Sequence, residues 1–386
     1  MTARTANTQL DNITRNLKKS DLPNLPPAPG FAGEQEFHEQ VTSWKNWLSW
    51  EKSDPLMLQA DEPETFRQRI LLVYKQALMP LRFYPEMWVD AAEWCFENAV
   101  TSKDGQDMGL QFLIDGVAAN PESPLLALKH ADRIESTYPA GEGDEGKAAL
   151  AEAVRAPFDE TLGHLYDLIR IQKEKESAAL KIAREEPDGE NAEGDDEGEI
   201  AEMSPQQMDK QTRIKALQDA FAAQIHLLSQ HISYLWIALA RAFRRIQGQG
   251  QQNPATGVRG IFSQARAKGR LTSDVYVAIA LIEWEIYHDK VATKIFDRGC
   301  KLFPEDENII VEYLKHLHSR HDSISKCTSS SPPVFSIDSS LICIRRTPGL
   351  FQDGPGFPAE GRGQPCSSPE AEAPLRVFPW LRGQIW

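Results

Sequence analysis

His316, His318 and His321 form an H-x-H-x-x-H run, and His226 and His231 lie five residues apart. Imidazoles at that density suggest transition-metal ligation, which needs three or four converging donors with support behind them. Residues two apart on a helix point away from each other, so no metal is assigned to either group. Glu51 and Glu97, each following tryptophans, are the carboxylates that acid–base chemistry would use. Their helical setting places them instead at the edge of aromatic packing. No G-x-x-x-x-G-K-[ST], no H-E-x-x-H and no G-x-S-x-G in a strand–turn–helix setting occurs, and Gly248-Gln249-Gly250 follows a helix pattern rather than a strand. The chain is therefore expected to hold no catalytic residue, no cofactor and no metal.

Two other sets of residues invite binding rather than catalysis. The tryptophans could stack on bases, but their spacing marks one face of each helix and favours packing. From Arg241 to Arg270 there are seven basic side chains and no acidic one: Arg241, Arg244, Arg245, Arg259, Arg266, Lys268 and Arg270. This stretch is a candidate interaction surface for phosphates or an acidic partner. The alternatives are an ordinary solvated face or a dock for the chain's own acidic segment.

That acidic segment dominates the overall charge. The 386 residues carry a formal net charge of −14, with 41% hydrophobic and 25% charged residues. Ten acidic and no basic side chains lie between Glu185 and Glu202, leaving −4 for the rest. Such a run cannot bury apolar surface and repels itself, so residues 185–210 are read as a disordered insertion. The five cysteines show no metal or disulfide spacing and are read as thiols. No apolar run is long enough for a membrane span or a secretory signal, which predicts a soluble, intracellular protein with no membrane partner.

The elements that would position these residues are almost all helical. Residues 1–35, ending in the proline-rich stretch Leu22 to Gly30, read as an extended linker. Helix-length apolar stripes then fill 36–184 and 211–322, while 323–386 shows no helical stripe and reads as a disordered tail. Ser123-Pro124 offers a capping residue followed by proline in the first turn. Tyr276, Ile279, Ile282 and Ile286 line one face, and Ile309, Tyr313 and Leu317 another.

These stripes repeat. Phe112-Leu113 with Gly116 and Pro121 matches Ile295-Phe296 with Gly299 and Pro304 at a constant offset of 183 residues. Ile261-Phe262 with Ala265 forms a further copy 34 residues before the second, and Leu165-Tyr166 a less exact one. In each, the apolar pair faces inward and a small residue one turn later allows a close helix approach. Companion helices open with aromatics: Trp44, Trp47 and Trp50; Trp88 and Trp94; Tyr234 and Trp236; Tyr276 and Trp284. Aromatic-led helices alternating with small-residue helices every 34 to 45 residues predict an all-α solenoid of stacked hairpins.

The alternating patterns resemble HAT (half-a-TPR) repeats. Trp44 to Leu56 (WKNWLSWEKSDPL), Tyr84 to Glu93 (YPEMWVDAAE) and Asp274 to Glu283 (DVYVAIALIE) are similar to the large HAT-repeat subunit of cleavage stimulation factor and its fungal counterpart in cleavage factor IA, the Suf family. The resemblance covers about residues 10–322, is strongest at 41–135 and 232–318, and is interrupted around 171–220. It implies a nuclear scaffold, with the cytoplasm as a second location, in pre-mRNA 3′-end cleavage and polyadenylation. The implied partners are other processing subunits, including an RNA-recognition-motif protein, a second copy in a homodimer, and pre-mRNA mainly indirectly. A spliceosomal HAT scaffold and a TPR-like co-chaperone are the competing readings. The family carries further repeats on both sides of this stretch, so the chain is expected to be a fragment with a tail of unrelated origin, a genuine short isoform being the alternative.

Overall fold

A computed structural model describes residues 3–327 apart from 20–21, 28–29, 103, 140, 142 and 186–204; for 3, 205–207 and 321–327 only the backbone is described. The centre of the acidic insertion, the tail from 328 onward, the side chain of His321 and those of Cys327, Cys343 and Cys366 lie outside the described residues. The chain divides into two compact units, Met1–Ser319 and Arg320–Trp386, the latter described only along its first helical turns.

The described residues form helices with no strand, only a single isolated bridge between Thr101 and Asp107. In order they are α1 (Ala3–Thr14), α2 (Glu34–Lys52), α3 (Leu58–Asp61), α4 (Pro63–Ala77), α5 (Pro85–Glu97), α6 (Met108–Ala119), α7 (Pro124–Thr137), α8 (Asp144–Glu185), α9 (Pro205–Gln247), α10 (Gly257–Lys268), α11 (Ser273–Leu281), α12 (Val291–Leu302) and α13 (Glu307–Cys327). A single π-helical turn, Ile282–Ile286, extends α11.

Local chemistry sets the helix starts. Proline occupies the first turn of α4, α5 and α7, where its missing N–H has no intrahelical partner to lose. Asp107 caps α6 by accepting from the Gly109 and Leu110 backbone N–H groups. Ser123 occupies the capping position of α7, but its side chain makes no capping hydrogen bond. Proline fixes that boundary without it.

Pairing follows a repeating order. α2 packs on α4, α5 on α6, α7 on α8, α9 on α10 and α11 on α12, while α5, α7, α9 and α11 also touch in succession. This is a stack of helical hairpins, the solenoid expected from the repeats. Two apolar cores result. One runs from Val41 to Leu126, the other from Ala127 to Ile309, and the boundary falls inside α7. Neighbouring residues on a helix are about 100° apart, so Leu126 serves one core and Ala127 the other.

Several expectations need correction. Segment 1–35 is not wholly an extended linker: it contains α1, whose Leu10 and Ile13 pack, with Leu17, against the first core. Helix formation there is possible because the first proline is Pro23. α9 starts at Pro205, inside the expected insertion, and α13 continues five residues past 322. Ile286 is exposed rather than buried, because the π turn inserts an extra residue per turn and rotates it off the stripe. On α13, Ile309 and His316 are buried while Leu317 is exposed. A seven-residue step of two turns reaches His316, and the eighth residue passes it.

Candidate functional site

The small residues of the repeat lie where three helices meet. A Cβ on Gly116 would stand 3.0 Å from Trp88 Cβ and 3.1 Å from Leu126 Cδ2. On Gly299 it would stand 3.1 Å from Tyr276 Cβ and 2.4 Å from Ile309 Cδ1. Each glycine thus touches the aromatic of its own hairpin's first helix and an aliphatic of the next hairpin. Leu126 and Ile309 are themselves 183 residues apart, so the repeat includes the contact partners. Phe296 is fully buried, Ile295 nearly so, and Ala265 holds the matching place on α10. The Leu165-Tyr166 copy departs from this pattern: one turn on stands buried Ile169, not a small residue.

The tryptophans divide. Trp44 and Trp47 are buried and stack at 5.6 Å between ring centroids. Trp88, Trp94 and Trp236 are buried, and Tyr276 meets Phe262 edge-to-face. Trp50 and Trp284 are only half-buried: Trp50 Nε1 donates to Gln9 of α1, and Trp284 meets buried His316 edge-to-face at 4.7 Å. Tyr234 is 40% exposed.

Glu51 does not sit at the packing edge. It is 5% exposed and accepts from Arg69 Nε and Nη2 at 3.0 and 2.9 Å and from Trp47 Nε1 at 3.2 Å. Three donors compensate its burial. Glu97 is exposed. A second buried carboxylate, Glu283, 1% exposed, accepts from Arg259 Nε and Nη2 at 3.1 Å and from Gln249 at 2.7 Å. Among the described residues no cluster of histidine, cysteine or acidic side chains is arranged to hold a metal. Cys95 is buried, which, with Asp107 nearby, pushes its thiol up to about 12. It is a poor nucleophile.

The seven basic residues of 241–270 do not form one surface. Arg245 makes a bidentate pair with Glu135 of α7 at 2.6 Å, and Arg259 is engaged by Glu283 and, at 2.5 Å, by Asp289. Arg266 lies over the Phe262 ring, 4.8 Å from its centroid. Arg241 is exposed and Arg244 half-buried. The last two, Lys268 and Arg270, line a groove of about 420 Å³ with Tyr166, Ile169, Arg170, Lys173, Glu174 and Ser177 of α8. Sequence reading missed Arg170 and Lys173 because they lie roughly a hundred residues upstream. The signal was present in the Leu165-Tyr166 copy, which places them one and two turns beyond a repeat contact. Tyr166 joins the groove's two walls: its hydroxyl donates to the Gly269 carbonyl at 3.1 Å and accepts from Trp236 Nε1 at 3.2 Å.

A solenoid in which WKNWLSWEKSDPL ends one helix and YPEMW opens another, with glycine at matched three-helix junctions, is one member of a wider set. The family described as Suppressor of forked protein (Suf) matches residues 1–327. The chain belongs to the Suf family. It is 54% identical over 331 residues to the mRNA 3′-end-processing protein rna-14 of Neurospora crassa, covering 83% of this chain and 28% of that relative. With RNA14 of Gibberella zeae the identity is 53%, over 84% of this chain and 32% of the relative, and with that of Yarrowia lipolytica 32%, over 83% and 31%. The chain therefore spans about a third of the length of these Suf relatives. Among the described residues no helix is long and apolar enough to cross a membrane.

Proposed function

We propose that this chain acts as a non-enzymatic scaffold in the nuclear machinery that cleaves and polyadenylates pre-mRNA, its stacked hairpins bridging RNA-binding and cleavage subunits. The observation that carries this reading is the 54% identity, across 83% of the chain, to a protein named for mRNA 3′-end processing. A hairpin stack suits the role because it offers long side-chain surfaces held by interior packing, so the surface can vary while the frame persists. The partners proposed are other cleavage and polyadenylation subunits, among them an RNA-recognition-motif protein, with pre-mRNA reached through them. A homodimer would present two such surfaces and raise avidity without new contacts.

Affinity purification of the tagged chain from nuclear extract, followed by mass spectrometry, tests the proposal. Cleavage and polyadenylation subunits are the expected co-purifying set. Recovery of splicing factors in their place would reassign the scaffold to the spliceosome, and recovery of chaperones alone would favour the co-chaperone reading. Sedimentation at micromolar concentration tests the dimer, which a monomer would remove.

A further inference from the structure

The groove between α8 and the α10–α11 turn has the chemistry of a peptide site. Its floor is apolar, formed by buried Ile169 and the ring of Tyr166, and its rim carries Arg170, Lys173, Lys268 and Arg270. Arg170 is held by Asp167 and Glu174 at 3.1 and 3.2 Å, whereas Lys173, Lys268 and Arg270 have no partner among the described residues. All three are exposed. Unpaired cations around an apolar floor, in a chain of net charge −14, form a local reversal of sign. Such a reversal attracts an acidic ligand and orients its approach.

The apolar floor decides which acidic ligand. Buried Ile169 can seat an aliphatic side chain, which a peptide supplies and a phosphodiester backbone does not. Tyr166 is the one aromatic side chain among the groove's lining residues, short of the succession of stacking platforms that single-stranded nucleic acid uses. We propose that this groove binds a short acidic peptide segment of a partner protein, with one aliphatic side chain of that segment seated on Ile169 and Tyr166 and its carboxylates on Lys173, Lys268 and Arg270. The assignment rests on the scaffold reading, whose bridging role requires such docking sites.

Fluorescence anisotropy on the full chain tests it, with a fluorescein-labelled peptide of about ten Asp and Glu residues around a single central Leu as the probe. The double variant Lys268→Glu/Arg270→Glu is expected to weaken binding at least tenfold, and Lys173→Glu, on the opposite wall, several-fold. Arg241→Glu makes the same charge change as Lys173→Glu, outside the groove, and is expected to stay within twofold. A peptide with Ser replacing the central Leu is expected to bind several-fold more weakly. Equal losses for Arg241→Glu and the groove variants would overturn the site in favour of long-range attraction, and so would equal affinity of the Ser peptide. An oligo(U) RNA of similar length that binds more tightly and is lost with the same variants would overturn the peptide assignment. If the double variant still co-purifies with processing subunits but wild type does not bind the peptide, the groove proposal fails alone. If peptide binding behaves as expected and no processing subunit co-purifies, the scaffold reading fails alone.

Discussion

The two cores use the same device, a buried glutamate clamped by an arginine, in different places. In the first core the clamp lies within one hairpin: Glu51 of α2 and Arg69 of α4. In the second it joins two hairpins, since Glu283 follows α11 and Arg259 belongs to α10 of the preceding pair. Arg259 also holds Asp289, at the entry to α12, whose carboxyl lies below the usual range chiefly because it accepts from the Val291 backbone N–H. One clamp therefore closes a repeat on itself while the other couples repeats. In a linear array the second kind carries cooperativity between neighbours.

Breaking the clamps gives the largest expected effects. Arg259→Ala leaves Glu283 buried with only Gln249 as donor and should cost about 3–5 kcal/mol. Because the lost contact is between hairpins, α11 and α12 should exchange amide hydrogens before the rest, as mass-resolved hydrogen exchange would reveal. Arg69→Ala should fall at the lower end of that range and raise exchange in α2 and α4 alone. Matching exchange patterns for the two variants would erase the proposed difference.

Overpacking a three-helix junction comes next. Gly299→Leu and Gly116→Leu should each lower stability by about 1–3 kcal/mol, measured by denaturant unfolding. An unchanged midpoint in either would break the equivalence of the two junctions.

Acid should act on the second core. Burial holds His130 and His231 below the ordinary imidazole value, with Glu160 offsetting part of the effect at His130. The unfolded chain then binds more protons below a pH of about 6.5, so stability is full above that value and declines as the pH falls. Melting temperature should drop between pH 7.5 and 5.5, and the double variant His130→Gln/His231→Gln should drop less. A steeper drop in the variant would reverse the assignment. The smallest effect belongs to the groove: Lys268→Glu should change stability by no more than about 0.5 kcal/mol, since Lys268 is exposed and unpaired.

The repeat frame was legible in the sequence because glycine, aromatic and aliphatic contacts recur at fixed offsets, and packing imposes those offsets. What escaped was whatever depends on pairing across the stack. Arg245 and Arg259 read as free cations until Glu135 and Glu283 were seen beside them. Arg170 and Lys173 lay in another repeat, and the π turn that exposes Ile286 leaves no mark in hydrophobic spacing. Glu51 read as an edge residue because its compensating arginine is 18 residues away on the next long helix.

The length of α8 and α9 has a mechanical consequence. From Ile169, the last residue of the continuous buried face of α8, to Glu185 the helix runs about 24 Å, with Ala183 the only buried side chain along the way. Paired with α9, it is a beam clamped at one end. A tilt of 5° about the clamp would displace the far end by about 2 Å but the turn carrying Lys173 by only about 0.5 Å. Sway therefore grows with distance from the fixed end, and the groove occupies the stretch where the beam is stillest.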